Sequence, residues 1–282
     1  MQAISLFSGI GAFELAAQMV FGDRYQTFQF VEIDFNAQKV LLKHFKNIPI
    51  QSDIKTYHPP APGFLGFPTI IVGGFPCTDT SNAGKREGLS GNESSLWWEM
   101  YRVIVECQPD FVIVENPEGI IHRGLRTILG AFTMAGYQTE IELITAAELG
   151  APHKRSRIFI IAYRNDLCIQ QRQGWCCWSD KIGNDIAFAQ RAGWHIARTL
   201  PWGQETQSEI LSLVNGVPNY LFGLSYNGWW KHNLPPTDAG IDKLEINPSS
   251  RRKMINLIGR SIVPLQAAIA LMRLKFLVSL TT

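Results

Sequence analysis

Two stretches carry residue types that can do chemistry together. The apolar, β-branched run Ile70-Ile71-Val72 breaks at Gly73-Gly74 and then presents Phe75-Pro76-Cys77. A second run, Phe111-Val112-Ile113-Val114, ends in Glu115-Asn116-Pro117. Short apolar runs of this kind are expected as buried strands, and open α/β sheets place their sites at the C-terminal ends of strands. Most free cysteines are simply small buried thiols. Here, however, a nucleophile and an acid stand at the ends of two strands, which makes a reaction centre.

Ahead of them lies a second constellation. Ala3-Ile4-Ser5-Leu6-Phe7 is expected as a strand, Ser8-Gly9-Ile10-Gly11-Ala12 as a glycine turn, and Phe13 to Phe21 as a helix with apolar residues at helical spacing. Glycines at such a βα entry let a ligand approach the backbone at a helix N-terminus. Many such turns carry glycine for geometry alone, and this one lacks the full G-x-G-x-x-G. The next strand, Thr27 to Val31, ends at Glu32-Ile33-Asp34, about where a dinucleotide or adenosine fold places the carboxylate that takes ribose hydroxyls. Gln51-Ser52-Asp53-Ile54 offers a further carboxylate after a short strand, although Asp53 could merely cap a turn.

These groups need a frame. Helices are expected from about Asn36 to His44, Leu96 to Cys107, Arg123 to Ala135 and Leu265 to Leu277, with further strands at Ile141 to Ile144 and Arg157 to Ala162. Strand and helix alternate, so the fold class is α/β, doubly wound on a mainly parallel sheet. Trp97 and Trp98 read as packing. The polar, glycine-rich connection from Asp79 to Ser94 is long for a compact domain and reads as a functional loop. Within it Ser81, Lys85 and Arg86 could meet phosphates, against the plainer reading of solvated side chains. From Tyr163 the alternation stops. Three parts are expected: a catalytic and cofactor domain over 1–163, a small irregular recognition lobe over 164–255, and a C-terminal helix over 256–282 returning to the first part.

With 282 residues and 46% hydrophobic content, the chain can bury a full core. No stretch approaches the roughly 18 uninterrupted apolar residues of a membrane span, and the N-terminus lacks a basic region followed by an apolar core. A cytoplasmic protein is expected. Five cysteines without paired spacing argue against a disulfide framework and against a zinc site, and no metal is expected. The net charge of +2 hides an asymmetry: residues 1–150 sum to −6 and residues 151–282 to +8. In the basic half Trp175, Trp178, Trp194 and Trp202 stand among Arg172, Lys181, Arg191 and Arg198. Basic residues interleaved with aromatics suit nucleic-acid contact, with Arg191 and Arg198 as candidates, though a small β-lobe with a tryptophan core would look similar.

Taken in order, the motifs resemble the DNA (cytosine-5) methyltransferase family of bacterial and phage type. Leu6-Phe7-Ser8-Gly9-Ile10-Gly11 is similar to its first cofactor motif, Glu32-Ile33-Asp34 to its ribose-binding acid and Ser52-Asp53-Ile54 to its adenine-binding acid. Gly73 to Cys77 resembles the Pro-Cys nucleophile loop, Val114-Glu115-Asn116 the Glu-Asn motif, and His153-Lys154-Arg155-Ser156-Arg157 the Gln-x-Arg-x-Arg motif. Ser212 to Asn219 resembles the segment after the recognition region, and Ile258 to Pro264 the closing Gly-Asn-x-x-x-Pro motif, with Arg260 in place of asparagine. Thr78, Pro117 and His153 are further departures.

The resemblance implies an S-adenosyl-L-methionine-dependent methyltransferase fold and enzyme, with S-adenosyl-L-homocysteine as product. Phe7, Ser8, Gly9, Ile10, Gly11, Glu32, Ile33, Asp53, Ile54, Pro76, Leu96, Ser261 and Ile262 would line the cofactor. Cys77, Glu115, Arg155 and Arg157 would be catalytic. Cytosine C5 is too weak a nucleophile to take a methyl group directly, but thiolate addition at C6 makes it an enamine carbon that can. A cysteine with a free pKa of about 8.5 gains from nearby cations, which Arg155 or Arg157 could supply. Glu115 can hydrogen-bond the N3 and amino edge of the base. Such chemistry requires the base to be flipped from duplex DNA, with the loop over 79–94 closing on it. The implied partner is double-stranded DNA, bound by a monomer, in a restriction-modification setting that leaves room for a cognate endonuclease. Two alternatives stand beside this: a tRNA cytosine-5 methyltransferase, and a catalytically weak DNA-binding regulator suggested by Arg260.

Overall fold

The computed structural model describes residues 1–76, 96–146, 149, 155–167 and 261–281. Its centre is a seven-stranded sheet. Strands β1 (Gln2–Leu6), β2 (Gln26–Val31), β3 (Ile50–Gln51), β4 (Thr69–Gly73), β5 (Phe111–Pro117), β6 (Tyr137–Thr145) and β7 (Ser156–Arg164) stand in the order 3-2-1-4-5-7-6. Five neighbouring strands, from β3 through β5, pair in parallel, while β7 is antiparallel to both β5 and β6. The antiparallel end has a simple cause. A parallel crossover needs a dozen or more residues, and the connection between Thr145 and Ser156 is shorter than that.

Helices cover both faces: α1 (Ala12–Phe21), α2 (Phe35–His44), α3 (Leu96–Cys107), α4 (Ile120–Arg123), α5 (Leu125–Met134) and α6 (Pro264–Ser279). All five residues of β4 and the first four of β5 are buried, as unbroken apolar runs in a two-sided sheet require. Side chains alternate between two cores. Ala3, Ile70, Val72, Phe111, Ile113, Phe159 and Ile161 pack with α1 and α6. Ile4, Leu6, Ile71, Val112, Val114, Ile158 and Ile160 face the opposite way, toward α3 and α5. Trp97 is fully buried there, with its ring 5.6 Å from those of both Phe75 and Phe132, whereas Trp98 is exposed.

The helix expected near 123–135 is α5, with the single turn α4 ahead of it across Gly124, and the two late strands run longer at both ends than apolar periodicity suggested. The final helix begins at Pro264, whose missing N–H is harmless in a first helical turn. It is fixed to the sheet edge by a bidentate ion pair, Arg273 Nε and Nη2 donating to Glu140 Oε2 and Oε1 at 2.6 and 2.7 Å. Lys275 Nζ donates to the Val20 carbonyl at 2.9 Å and ties α6 to α1.

This topology fixes where a site belongs. The chain steps outward from β1 to β2 and β3, then returns to place β4 on the other side of β1. The crevice beyond the C-terminal ends of β1 and β4 is therefore the switch point at which doubly wound sheets bind ligands. Leu6 ends β1 directly beside Gly73, which ends β4. A β-carbon on Gly73 would collide with the Leu6 carbonyl oxygen, so only glycine fits there.

Candidate active site

The β1 side of the crevice is a turn with unusual backbone. Phe7, Gly9 and Gly11 all have positive φ, at 52°, 55° and 86°. A bulky residue such as Phe7 rarely adopts that conformation, and it persists only where the surroundings over-determine it. The surroundings here are explicit: Ser8 donates its N–H to the Val31 carbonyl at 3.2 Å and its hydroxyl to the Ser5 carbonyl at 2.8 Å. Gly11 must lack a side chain, because a β-carbon would strike the Phe45 ring. The first turn of α1 has no side-chain cap, which leaves its N–H groups open to an acceptor.

Glu32, at the end of β2, closes this turn from the far side. Its Oε2 accepts from the Gly9 N–H and its Oε1 from the Asp34 N–H, both at 2.7 Å. Burial pushes its carboxyl above the ordinary range, and the two backbone donors pull against that shift. Each oxygen keeps acceptor capacity for a ligand hydroxyl. Asp34 is committed elsewhere, since its Oδ1 accepts from Asn36 and Ala37 and caps α2. Ile33, between them, is 74% exposed, an apolar side chain left open at the mouth of the crevice. Asp53 does cap a turn, its Oδ1 accepting from the Lys55 N–H at 2.9 Å, while Ile54 is buried beneath it. Backbone N–H groups on a glycine turn, an accepting carboxylate and an open apolar side chain are a set of groups that fits an adenosyl amino acid.

The other side of the crevice is built by register. Glu115 on β5 pairs with Phe159 on β7, which makes Arg157 its diagonal neighbour on the same face. Arg157 Nε meets Glu115 Oε1 at 2.7 Å, with both side chains largely buried. Burial drives the Glu115 carboxyl up, and Arg157 and then Arg155 hold it down; the net shift is upward. Arg155 is itself pushed down to about 10, by burial first and by Arg157 second, and so stays cationic at neutral pH. Gly74 lies against the same carboxylate: a β-carbon there would sit 2.5 Å from Glu115 Oε2 and 3.1 Å from the Glu115 carbonyl. The glycine pair that breaks the β4 strand thus makes room for the acid on β5.

The C-terminal segment supports the arginines. Arg155, at positive φ, donates through Nη2 to the Ser261 carbonyl. Gln266 is fully buried, and its Nε2 donates to the carbonyls of Ile144 and Arg155 at 2.7 and 2.8 Å. One amide therefore clasps both strands where the β6–β7 pair opens. Ser261 and Ile262 are buried in this joint.

The sequence profile of the C-5 cytosine-specific DNA methylase family matches residues 1–191. The chain belongs to that family. The orphan methyltransferase M.SPRI of Bacillus phage SPR is 33% identical over 175 residues, which cover 59% of this chain and 38% of that protein. The type II methyltransferase M.FnuDI of Fusobacterium nucleatum is 29% identical over 177 residues, or 60% of this chain and 48% of that protein. The matched region thus spans less than half the length of either relative. Among solved structures, the Dnmt2 methyltransferase of S. pombe shares the fold with a TM-score of 0.60 at 14% identity, over 97% of this chain and 98% of that one.

For this methylase-family chain, the described residues bring Phe7, Ser8, Gly9, Ile10, Gly11, Glu32, Ile33, Asp53, Ile54 and Pro76 to the C-terminal edges of β1 to β4, with Glu115, Arg155, Arg157, Ser261 and Ile262 beside them. Leu96 opens α3. Cys77, Ser81, Lys85, Arg86, Arg191 and Arg198 lie outside the described residues, as does almost all of the expected recognition lobe. Among the described residues no group of three or more His, Cys, Asp or Glu is arranged to hold a metal ion. No described helix is long and apolar enough to cross a membrane. Gln266 escaped the sequence reading because an amide inside an apolar helix carries no motif. Gly74 carried a signal, as the second of two glycines after a strand, but its partner could not be named without the sheet order.

Proposed function

We propose that the chain is a DNA (cytosine-5) methyltransferase that transfers a methyl group from S-adenosyl-L-methionine to C5 of a cytosine flipped out of duplex DNA, through a covalent adduct of Cys77 at C6. The observation that carries this is the Glu115–Arg157 pair at 2.7 Å beside Gly74, three residues before the only cysteine of the Pro-Cys run. The bacterial and phage relatives, named as type II and orphan methyltransferases, support DNA as the substrate.

Addition, charge neutralisation and cofactor binding fall to residues of this chain. Cys77 attacks C6 as thiolate, aided by the positive charge of Arg155 and Arg157. The carboxyl of Glu115, raised by burial, donates toward N3 of the ring as addition proceeds, so that the negative charge pushed into the ring is neutralised at N3 and C5 becomes the nucleophilic carbon of an enamine. Arg157 orients that carboxyl by holding one oxygen, which leaves the other toward the β4 end. Glu32 would take the ribose hydroxyls, Asp53 and Ile54 the adenine, and the open N–H groups at the start of α1 the amino-acid end of the cofactor. When bound there, the cofactor supplies an electrophilic methyl on a sulfonium. Removal of the C5 proton, departure of the Cys77 sulfur as thiolate and return of the N3 proton to Glu115 then release 5-methylcytosine. Lys85 and Arg86, with Arg191 and Arg198 from the basic half, would neutralise DNA phosphates.

Fluorine at C5 cannot leave as a proton does, so a duplex carrying 5-fluorocytosine should arrest the reaction after methyl transfer. Incubation with S-adenosyl-L-methionine should give a protein–DNA band that survives denaturing electrophoresis with the native chain and is absent for Cys77→Ser. A stable band with Cys77→Ser would overturn the nucleophile assignment.

A further inference from the structure

Helix α3 carries a guanidinium whose three nitrogens are all engaged. Arg102 Nε donates to Glu99 Oε2 at 2.9 Å, and Nη1 to both oxygens of Glu106 at 2.9 Å each. Nη2 leaves the helix altogether, donating to the carbonyls of Ile54 at 2.7 Å and Tyr57 at 3.0 Å. Arginine presents its donors in a rigid planar fork, so bonds from all three nitrogens fix the orientation of this side chain. The two glutamates, one turn away on either side, orient the fork before it reaches across. Ion pairs along a helix surface are ordinarily weak. The carbonyl contacts, 48 and 45 residues away in sequence, set this one apart from a solvated helix face.

The segment that receives them needs support. Strand β3 has two residues, Ile50–Gln51, and is followed by a single 3-10 turn, Ile54–Thr56. Beyond Tyr57 no helix or strand intervenes before β4, across a stretch that holds Pro59, Pro60, Pro62 and Pro68. Apart from the burial of Ile54 and Tyr57, the turn is secured by local bonds: Asp53 Oδ1 to the Lys55 N–H, and the Tyr57 N–H to the Ile54 carbonyl at 3.2 Å. At its two ends, Gln38 Nε2 of α2 donates to Ser52 Oγ at 3.2 Å and His58 Nδ1 lies 3.4 Å from Glu106 Oε2 of α3, and between them Arg102 ties its backbone carbonyls to α3.

We propose that Arg102 is a positioning residue for the adenine side of the cofactor site, holding the Ile54 carbonyl and with it the Asp53 carboxylate and the Ile54 side chain. This rests on the assignment of Asp53 and Ile54 to adenine given above. A carboxylate that accepts from the exocyclic amine of adenine discriminates against hypoxanthine, which presents a carbonyl there. Arg102 maintains that discrimination, because it acts on the segment that reads the base and not on Glu32 or the glycine turn.

The test is calorimetric titration of the full chain with S-adenosyl-L-homocysteine and with its inosine counterpart, for the native protein, Asp53→Ala, Arg102→Met and Arg102→Lys. Arg102→Met should weaken the adenosine ligand about tenfold, as loss of two charge-assisted bonds to one segment permits, while changing the inosine ligand less than about twofold. Arg102→Lys, which keeps the charge and one carbonyl bond, should recover about a third of the loss and remains informative if the methionine variant does not fold. Equal weakening of both ligands by both Arg102 variants, or no weakening at all, would overturn the positioning role. If the native protein binds neither ligand, or Asp53→Ala leaves the adenosine ligand unaffected, the cofactor assignment fails first and takes this one with it.

Discussion

Alanine at position 74 is a small change with a sharp expected consequence. The added methyl would lie 2.5 Å from Glu115 Oε2 and 3.1 Å from the Glu115 carbonyl. A carbon–oxygen contact needs roughly 3.4 Å, so the carboxylate or the strand end must retreat by about 0.9 Å. The carboxylate cannot swing freely, because Arg157 holds its other oxygen at 2.7 Å. Loosening that bond gives up part of a charge-assisted interaction worth about 1.5–3 kcal/mol. A catalytic group displaced by about 1 Å typically loses about a hundredfold in rate. Gly74→Ala should therefore lower kcat about 100-fold in a methyl-transfer assay, leave the Kd for S-adenosyl-L-homocysteine within about twofold, and lower Tm by about 3–8 °C. Gly130→Ala is the matched control: nothing lies within 4 Å of its β-carbon position in α5, and alanine there should add about 0.5–1 kcal/mol of stability. Retention of more than about a third of native kcat by Gly74→Ala would refute the packing of Glu115 against the β4 end.

Glu14, buried in the first turn of α1 with neither oxygen hydrogen-bonded and Ser5 Oγ nearby but outside bonding geometry, is pushed up to about 7 by desolvation. Its contribution is fully present below the unfolded pKa near 4.5 and is lost as pH rises through 7, so stability should fall by about 3 kcal/mol across that window; denaturant titrations of Glu14→Gln should lack this slope. Arg157→Met removes the cation that restrains Glu115, so the ionisation of Glu115 should move upward in the pH profile of kcat and the rate should fall at least 100-fold; an unshifted profile would exclude the pair from the reaction. Glu32→Ala orphans the Gly9 and Asp34 N–H groups and should weaken S-adenosyl-L-homocysteine at least tenfold by calorimetry, and an unchanged Kd would remove Glu32 from the cofactor site. Replacing Arg191 and Arg198 together should flatten the slope of log K against log salt for duplex binding by about two; an identical slope would place the phosphate contacts elsewhere.

The place of Glu115 was legible because it follows an apolar β-branched run, and buried strands are the most regular signal a sequence carries; Cys77, expected from the same signal after β4, lies outside the described residues. Glu32 was legible for the same reason, at the end of β2. Its bond to the Gly9 N–H was not, since that contact joins two strand ends across the sheet. The Glu115–Arg157 pair depends on the register of an antiparallel β5–β7 ladder, which alternation alone does not supply. Gln266 and Arg102 act over 111 and 48 residues of sequence, through a carbonyl each time, and a carbonyl has no residue identity to recognise. Phe7 was assigned to the end of a strand, whereas it begins the turn in a conformation that its side chain disfavours. What remained hidden was long-range and backbone-directed, and much of it supports the site.

Methylation of cytosine C5 in DNA by way of Cys77 has a direct chemical readout. It is tested most directly by mass spectrometry of nucleosides from unmethylated duplex DNA and from tRNA, each incubated with the purified chain and S-adenosyl-L-methionine, with Cys77→Ser in parallel. 5-Methylcytosine is expected in the DNA and none in the tRNA or with the variant. 5-Methylcytosine in tRNA alone would contradict the substrate, and none in either would contradict the activity.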